Sequence, residues 1–133
     1  MFLYIGNRRK RLIELAARVA ESSENKEYRH GAILVKGNNV LNAASNKNAH
    51  ARFGKRFRRR DKGDSTYHAE LGCILGLDRS VTRGADLYVV RVGRAGALRL
   101  SKPCHMCEAA LRHVGIRRVY YSIDENEFGC MKL

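Results

Sequence analysis

Proline is almost missing from this 133-residue chain, with one residue at position 103, and glycine adds only 12. So low a share, beside 44% hydrophobic residues, excludes collagen-like and disordered chains. No Pro-rich linker or internal repeat marks a domain boundary, so residues 1–133 read as a single domain. No apolar run approaches the ~18–20 residues of a membrane span. Met1–Ile5 is apolar but too short for a signal h-region, and the basic run follows it instead of preceding it. The expected compartment is therefore the cytoplasm, with no membrane partner. Cysteine is limited to four residues. A chain of this length can bury a core without staples, so metal or catalytic use is a better expectation than disulfides. Acidic residues are also few, 13 Asp+Glu against 26 Lys+Arg, for a net charge of +13. That excess suits an anionic partner or a solvated basic face.

What is present is an alternation of helix and strand patterns. Leu12, Ile13, Leu15, Ala16, Val19 and Ala20 recur at three-to-four spacing, which predicts a helix over 8–22 with Asn7 as its cap. Arg8, Arg9, Lys10 and Arg11 crowd its first turn, the unfavourable end for positive charge. Gly31–Val35 and Val40–Ala44 read as a hairpin around Lys36-Gly37-Asn38-Asn39. A loop at about 45–66 follows, without apolar periodicity. Residues 67–77 predict a second helix capped by Ser65 or Thr66, and Lys102–Val114 a third with Pro103 near its first turn. Asp86–Val92 and Val119–Ser122 read as strands; Ala97–Leu100 and Phe128–Leu133 are further candidates. The order predicts an α/β layer fold with helices packed on a sheet.

Two fragments carry chemistry: His68-Ala69-Glu70 and Pro103-Cys104-His105-Met106-Cys107. Zinc takes Cys sulfur and His nitrogen in a tetrahedral set, and a catalytic site keeps one position open for water. His68, Cys104 and Cys107 supply three such ligands, and a helix N-terminus favours their thiolate forms. Glu70, two residues after His68, can face the same water. His105 diverges by ~100° from its neighbours on a helix and is expected to face outward. Cys73 reads as a buried thiol and Cys130 as a free one. His30 and His113 read as core or surface histidines.

H-x-E followed by P-C-x-x-C resembles the signature of the zinc-dependent cytidine/deoxycytidylate deaminase superfamily. The resemblance runs from about Leu12 to Tyr121. It implies a cytidine deaminase-like three-layer fold, with a central mixed sheet of four to five strands flanked by helices. It also implies bound Zn2+ and hydrolytic attack on the amino-bearing carbon of a base, with Glu70 as proton carrier. By the same resemblance Asn46 would hydrogen-bond the sugar, and Ala69, Lys102 and Pro103 would bound the base pocket. Asn48 and His50 are weaker neighbours of Asn46 in the same loop, and Tyr67 could pack either beside the base or only beside the helix.

Substrate choice is drawn from two places. Only 11 residues follow Ser122, too few for the crossover a parallel strand needs. A last strand must therefore return antiparallel through Asp124-Glu125-Asn126, an arrangement that resembles the free-cytidine branch. Arg52, Lys55, Arg56, Arg58, Arg59, Arg60 and Lys62, interleaved with Phe53 and Phe57, suit three roles: a solvated loop, a phosphate clamp or a single-strand track. The leading expectation is a deaminase of a free cytosine nucleoside or nucleotide, CMP- or dCMP-like. The alternatives are a deaminase acting on cytosine or adenine in single-stranded DNA or RNA, and a non-enzymatic zinc module. Glu70 argues against the last, since a structural zinc takes a fourth protein ligand. Homo-oligomer formation stays open, with Leu111, Ile116, Val119 and Tyr120–Tyr121 available to core or interface.

Overall fold

The computed structural model describes residues 6–23, 28–50 and 66–133. Helix α1 (Asn7–Glu21) is followed by strands β1 (Arg29–Lys36), β2 (Asn39–Ser45), β3 (Lys47–His50) and β4 (Thr66–Tyr67). Helix α2 (Ala69–Ile74), a short α3 (Arg79–Thr82), β5 (Asp86–Val92), β6 (Leu98–Arg99), α4 (His105–His113), β7 (Arg118–Ser122) and β8 (Phe128–Lys132) complete the order.

The main sheet runs β2-β1-β5-β7-β8, with β6 added to β5; β3 and β4 form a separate pair. β1 is antiparallel to both β2 and β5. β5 and β7 are parallel. The chain between them carries α4, the crossover that parallel pairing demands. β8 returns antiparallel to β7, as expected, through a turn in which the Asp124 carboxylate accepts from the Asn126 and Glu127 amides at 2.8 Å. The main sheet has six strands against the four to five expected. The extra one, β6, is two residues long and holds only the end of β5.

Both faces of the sheet are covered, so β1 and β5 are buried along nearly their whole length instead of alternating. On one face, Ile13, Ala16 and Ala20 of α1 pack with Ile33, Val35, Tyr88, Val90, Val92 and Tyr120. Small residues let the helix backbone settle onto Gly31, where a Cβ would lie 2.2 Å from the Ala16 carbonyl oxygen. On the other face, Ala32, Leu34, Leu87, Val89 and Val119 pack with Leu71, Ile74, Ala110 and Leu111 of α2 and α4. Each fully buried aliphatic side chain contributes roughly 1.5–3 kcal/mol. The basic first turn of α1 is put to use: the Arg9 guanidinium lies over the Tyr120 ring, 5.0 Å from its centroid, and Arg8 donates to the Gly37 carbonyl.

Helix starts differ from the sequence expectation in an informative way. The residue before α1 is Gly6, not Asn7, and it makes no side-chain cap. α2 is capped neither by Ser65 nor by Thr66: its N-cap is His68, and that of α4 is Cys104, so Pro103 lies outside the helix. Neither side chain makes a capping bond. A Ser, Thr, Asp or Asn at such a position stabilises by about 1 kcal/mol. Here both positions carry the metal-type donors of the sequence motif, turned toward each other.

Candidate metal centre and cavity

The sheet face covered by α2 and α4 brings the two motif halves together. His68 Nδ1 lies 3.2 Å from Cys107 Sγ and 3.6 Å from Cys104 Sγ. All three donor atoms fall within 4.8 Å of one another. With Zn–S near 2.3 Å and Zn–N near 2.0–2.1 Å, donors of a tetrahedral site are roughly 3.5–3.8 Å apart. The cluster therefore fits a zinc ion. Glu70 is not one of these three donors; its carboxyl hydrogen-bonds the Cys107 thiol, so it stands beside the group that would hold the ion.

Electrostatics in the cluster are mutually reinforcing. The Cys107 thiol hydrogen-bonds Cys104 and holds it near about 4, against the opposing effect of burial and with further help from His68. Cys107 is pushed well up by that same bond and by burial. Cys104 in turn raises His68. Glu70 is 4% exposed, and burial lifts its carboxyl above the ordinary range.

A cavity of about 280 Å3 opens beside the cluster, lined by Tyr28, His30, Asn46, His68, Ala69, Glu70, Lys102 and Cys104. Of the residues expected at the pocket, Asn46, Ala69 and Lys102 line it; Pro103 is buried and does not. The Asn46 amide is already engaged. Its Nδ2 donates to the Tyr28 carbonyl at 2.7 Å, and its Oδ1 accepts from the His30 amide at 2.9 Å and from the Ser23 hydroxyl. It braces the cavity wall where β1 begins. Arg52, Lys55, Arg56, Arg58, Arg59, Arg60 and Lys62 lie outside the described residues, and so do the side chains of Asn48, His50 and Tyr67. Cys73 is buried and donates to the Ala32 carbonyl at 3.1 Å. Cys130 is a free, half-buried thiol and His105 is exposed.

Tyr28 and His30 are cavity residues that pattern reading did not assign to a site. Their signal was only position: Tyr28 directly precedes β1, and His30 lies at its start, opposite the end of β5. The supporting serines were equally silent. Ser101 and Ser122 are buried together behind the Lys102–Cys104 segment.

A mixed sheet flanked by helices, with a His/Cys/Cys cluster and a buried glutamate beside it, fits the zinc-dependent class of hydrolytic deaminases. Residues 7–123 match the cytidine and deoxycytidylate deaminase zinc-binding region, and the chain belongs to that family. It is similar to a tRNA-specific adenosine deaminase of Agrobacterium fabrum (strain C58 / ATCC 33970), 34% identical over 131 residues, which cover 93% of this chain and 71% of that protein. Among solved structures it resembles the apo dCMP deaminase of cyanophage S-TIM5, at TM-score 0.62 and 19% identity, covering 90% of this chain and 86% of that one. It also resembles Acinetobacter baumannii RibD, at TM-score 0.55 and 16% identity, over 87% of this chain and 28% of that one. At those identities the structural likenesses bear on the fold. Among the described residues no helix is long and apolar enough to cross a membrane.

Proposed function

We propose that this protein converts a cytosine base to uracil in a free nucleoside or nucleotide, most readily CMP or dCMP, with Glu70 as proton carrier and His68, Cys104 and Cys107 as zinc ligands. The observation that carries this reading is a buried Glu70 carboxyl that opens on the cavity beside a three-donor cluster. Zinc held there supplies the Lewis acidity that makes water a nucleophile near neutral pH.

The rest is done by the chain's own side chains. Glu70 takes a proton from the attacking water and passes it to the ring nitrogen. The carbon–nitrogen bond to the amino group then breaks, and water plus the amino-base become the oxo-base plus ammonia. A positioned acid/base of this kind is worth ~10²–10⁴ in rate. Burial suits Glu70 to the work, since it favours holding the proton between the two transfers. The antiparallel β8 supports a free substrate over a polynucleotide by its resemblance to the free-cytidine branch; a parallel last strand resembles the tRNA-adenosine, deoxycytidylate and polynucleotide branches, so β8 does not by itself favour dCMP.

A second reading, deamination of a base within a polynucleotide, is favoured by the likeness to the Agrobacterium tRNA-specific enzyme. Ammonia release by the zinc-loaded protein separates the two over cytidine, deoxycytidine, CMP, dCMP, adenosine and single-stranded oligonucleotides. The proposal expects the highest kcat/KM on CMP or dCMP. Turnover confined to oligonucleotides or to adenine would overturn it in favour of the second reading.

A further inference from the structure

A second cavity of about 560 Å3 shares Tyr28 with the first; Arg91, Gly93, Arg94, Ala95 and Arg99 line the remainder. Register explains why arginines gather here. His30 on β1 is directly opposite Arg91 on β5, and Arg91 is directly opposite Arg99 on β6. Opposed residues of antiparallel strands project from the same face. A row His30–Arg91–Arg99 therefore leads out of the Glu70 cavity over two strand spacings, roughly 10 Å.

Two arginines directly opposed destabilise a sheet. The ion pairs found among the described residues, Arg112–Glu108 and Arg117–Asp86, lie elsewhere. Arg91 Nε is buried and has no hydrogen-bond partner. Its guanidinium lies 4.8 Å from the centroid of the Tyr28 ring, which is 51% exposed. The Arg99 side chain folds over Gly93, close enough that a Cβ there would lie 3.1 Å from its Nε. The nearby Glu125 carboxylate accepts from the Leu98 amide. Arg91 and Arg99, which form no ion pair with another described residue, stand beside an exposed aromatic ring and match a phosphate ester attached to a stacked nucleoside.

We infer that Arg91 and Arg99, with the shared Tyr28, form a phosphate subsite beside the catalytic cavity, which binds the phosphate ester of the nucleotide whose base faces Glu70. This rests on the proposed function for the base, but not for the phosphate. The phosphate has two sources, the 5′-phosphate of a mononucleotide or the adjoining phosphodiesters of a strand.

The test is calorimetric binding to the zinc-loaded wild type, to Arg99→Gln and to Arg91→Gln/Arg99→Gln. The probes are deoxycytidine, dCMP, deoxyadenosine, dAMP and a short single-stranded deoxyoligonucleotide. Loss of charge-assisted contacts is expected to weaken phosphate-bearing probes about tenfold or more, with the nucleosides unchanged. A loss seen with the mononucleotides assigns the subsite to the 5′-phosphate. A loss confined to the oligonucleotide, with a log–log salt slope shallower by about 1.4 in the double variant, assigns it to a strand. Equal effects on nucleosides and nucleotides, or no effect on any probe, would overturn the inference. Because Arg99 is exposed, Arg99→Gln keeps the test valid if the double variant folds poorly. If no cytosine compound is deaminated while phosphate-selective binding still depends on these arginines, the catalytic reading fails and the subsite stands.

Discussion

The hydroxyls of Ser101 and Ser122 lie 2.8 Å apart in the buried interior, between the end of β7 and the segment that enters the Cys104–Cys107 helix. Ser101 Oγ also donates to the Val89 carbonyl at 2.8 Å and accepts from the Ser122 amide at 2.9 Å. Ser122 Oγ donates to the Arg99 carbonyl at 2.6 Å and accepts from the Arg91 amide at 3.3 Å. One pair of hydroxyls thus ties β5, β6 and β7 to the strand-to-helix link that sets the first cysteine. Ser101→Ala leaves buried backbone groups unpaired, with an expected cost of about 1–3 kcal/mol in chemical denaturation. Ser122→Ala is expected to cost a similar amount. The double variant should cost less than the sum, because the two residues share one network.

Gly31 is a contact point of two backbones. A Cβ there would meet the Ala16 carbonyl oxygen at 2.2 Å and the Ala20 amide nitrogen at 2.4 Å. Neither atom can move without shifting α1. Gly31→Ala is therefore expected to destabilise by at least about 2 kcal/mol, measured by urea denaturation. A neutral result would mean that α1 does not sit on β1 as closely as described.

His30 gives a pH dependence of defined sign. Burial, opposed by a hydrogen bond with the Tyr28 backbone and aided by the Arg91 charge, lowers it from 6.5 to about 4. The unfolded chain then binds the proton first. Stability is complete above about pH 6.5 and falls as pH drops toward 4, by up to roughly 3 kcal/mol from this group. In pH-dependent denaturation, His30→Gln is expected to flatten the slope in that window. An unchanged slope would place the titration on other groups.

Zinc should be a folding partner as well as a reagent. His68 and Cys104 start their helices without capping bonds, and the donors face one another across two elements. Binding to the folded state alone raises apparent stability by mass action. Chelation is expected to lower the Tm of the wild type. Cys104→Ala and Cys107→Ala are expected to lose stoichiometric zinc by elemental analysis, and chelator should then leave their Tm nearly unchanged.

The sequence pattern made most of this architecture legible. Period-3.6 spacing located α1, continuous apolar runs located β1 and β5, and the polar turn Asp124-Glu125-Asn126 marked the return into an antiparallel β8. The motif halves named the cluster because ligand chemistry restricts residue types so tightly. Helix boundaries were less legible, for a physical reason: His68 and Cys104 occupy N-cap positions that capping rules assign to other residue types, so the rules pointed to Ser65 and Thr66 upstream. β6 is two residues long and held by long-range pairing, which no local pattern records. Tyr28, His30 and the arginine row gain their meaning from register between strands distant in sequence. Asn46 was legible as a pocket residue, but not that its amide is committed to the backbone of residues 28 and 30.

The central claim is that Glu70 moves protons for a deamination carried out at the His68/Cys104/Cys107 cluster. It is tested most directly by measuring zinc content and ammonia release together, on CMP and dCMP, for wild type and Glu70→Gln. The account predicts equal zinc in both proteins and a rate about 10²–10⁴-fold lower in the variant. A zinc-loaded Glu70→Gln protein that releases ammonia as fast as the wild type would contradict it.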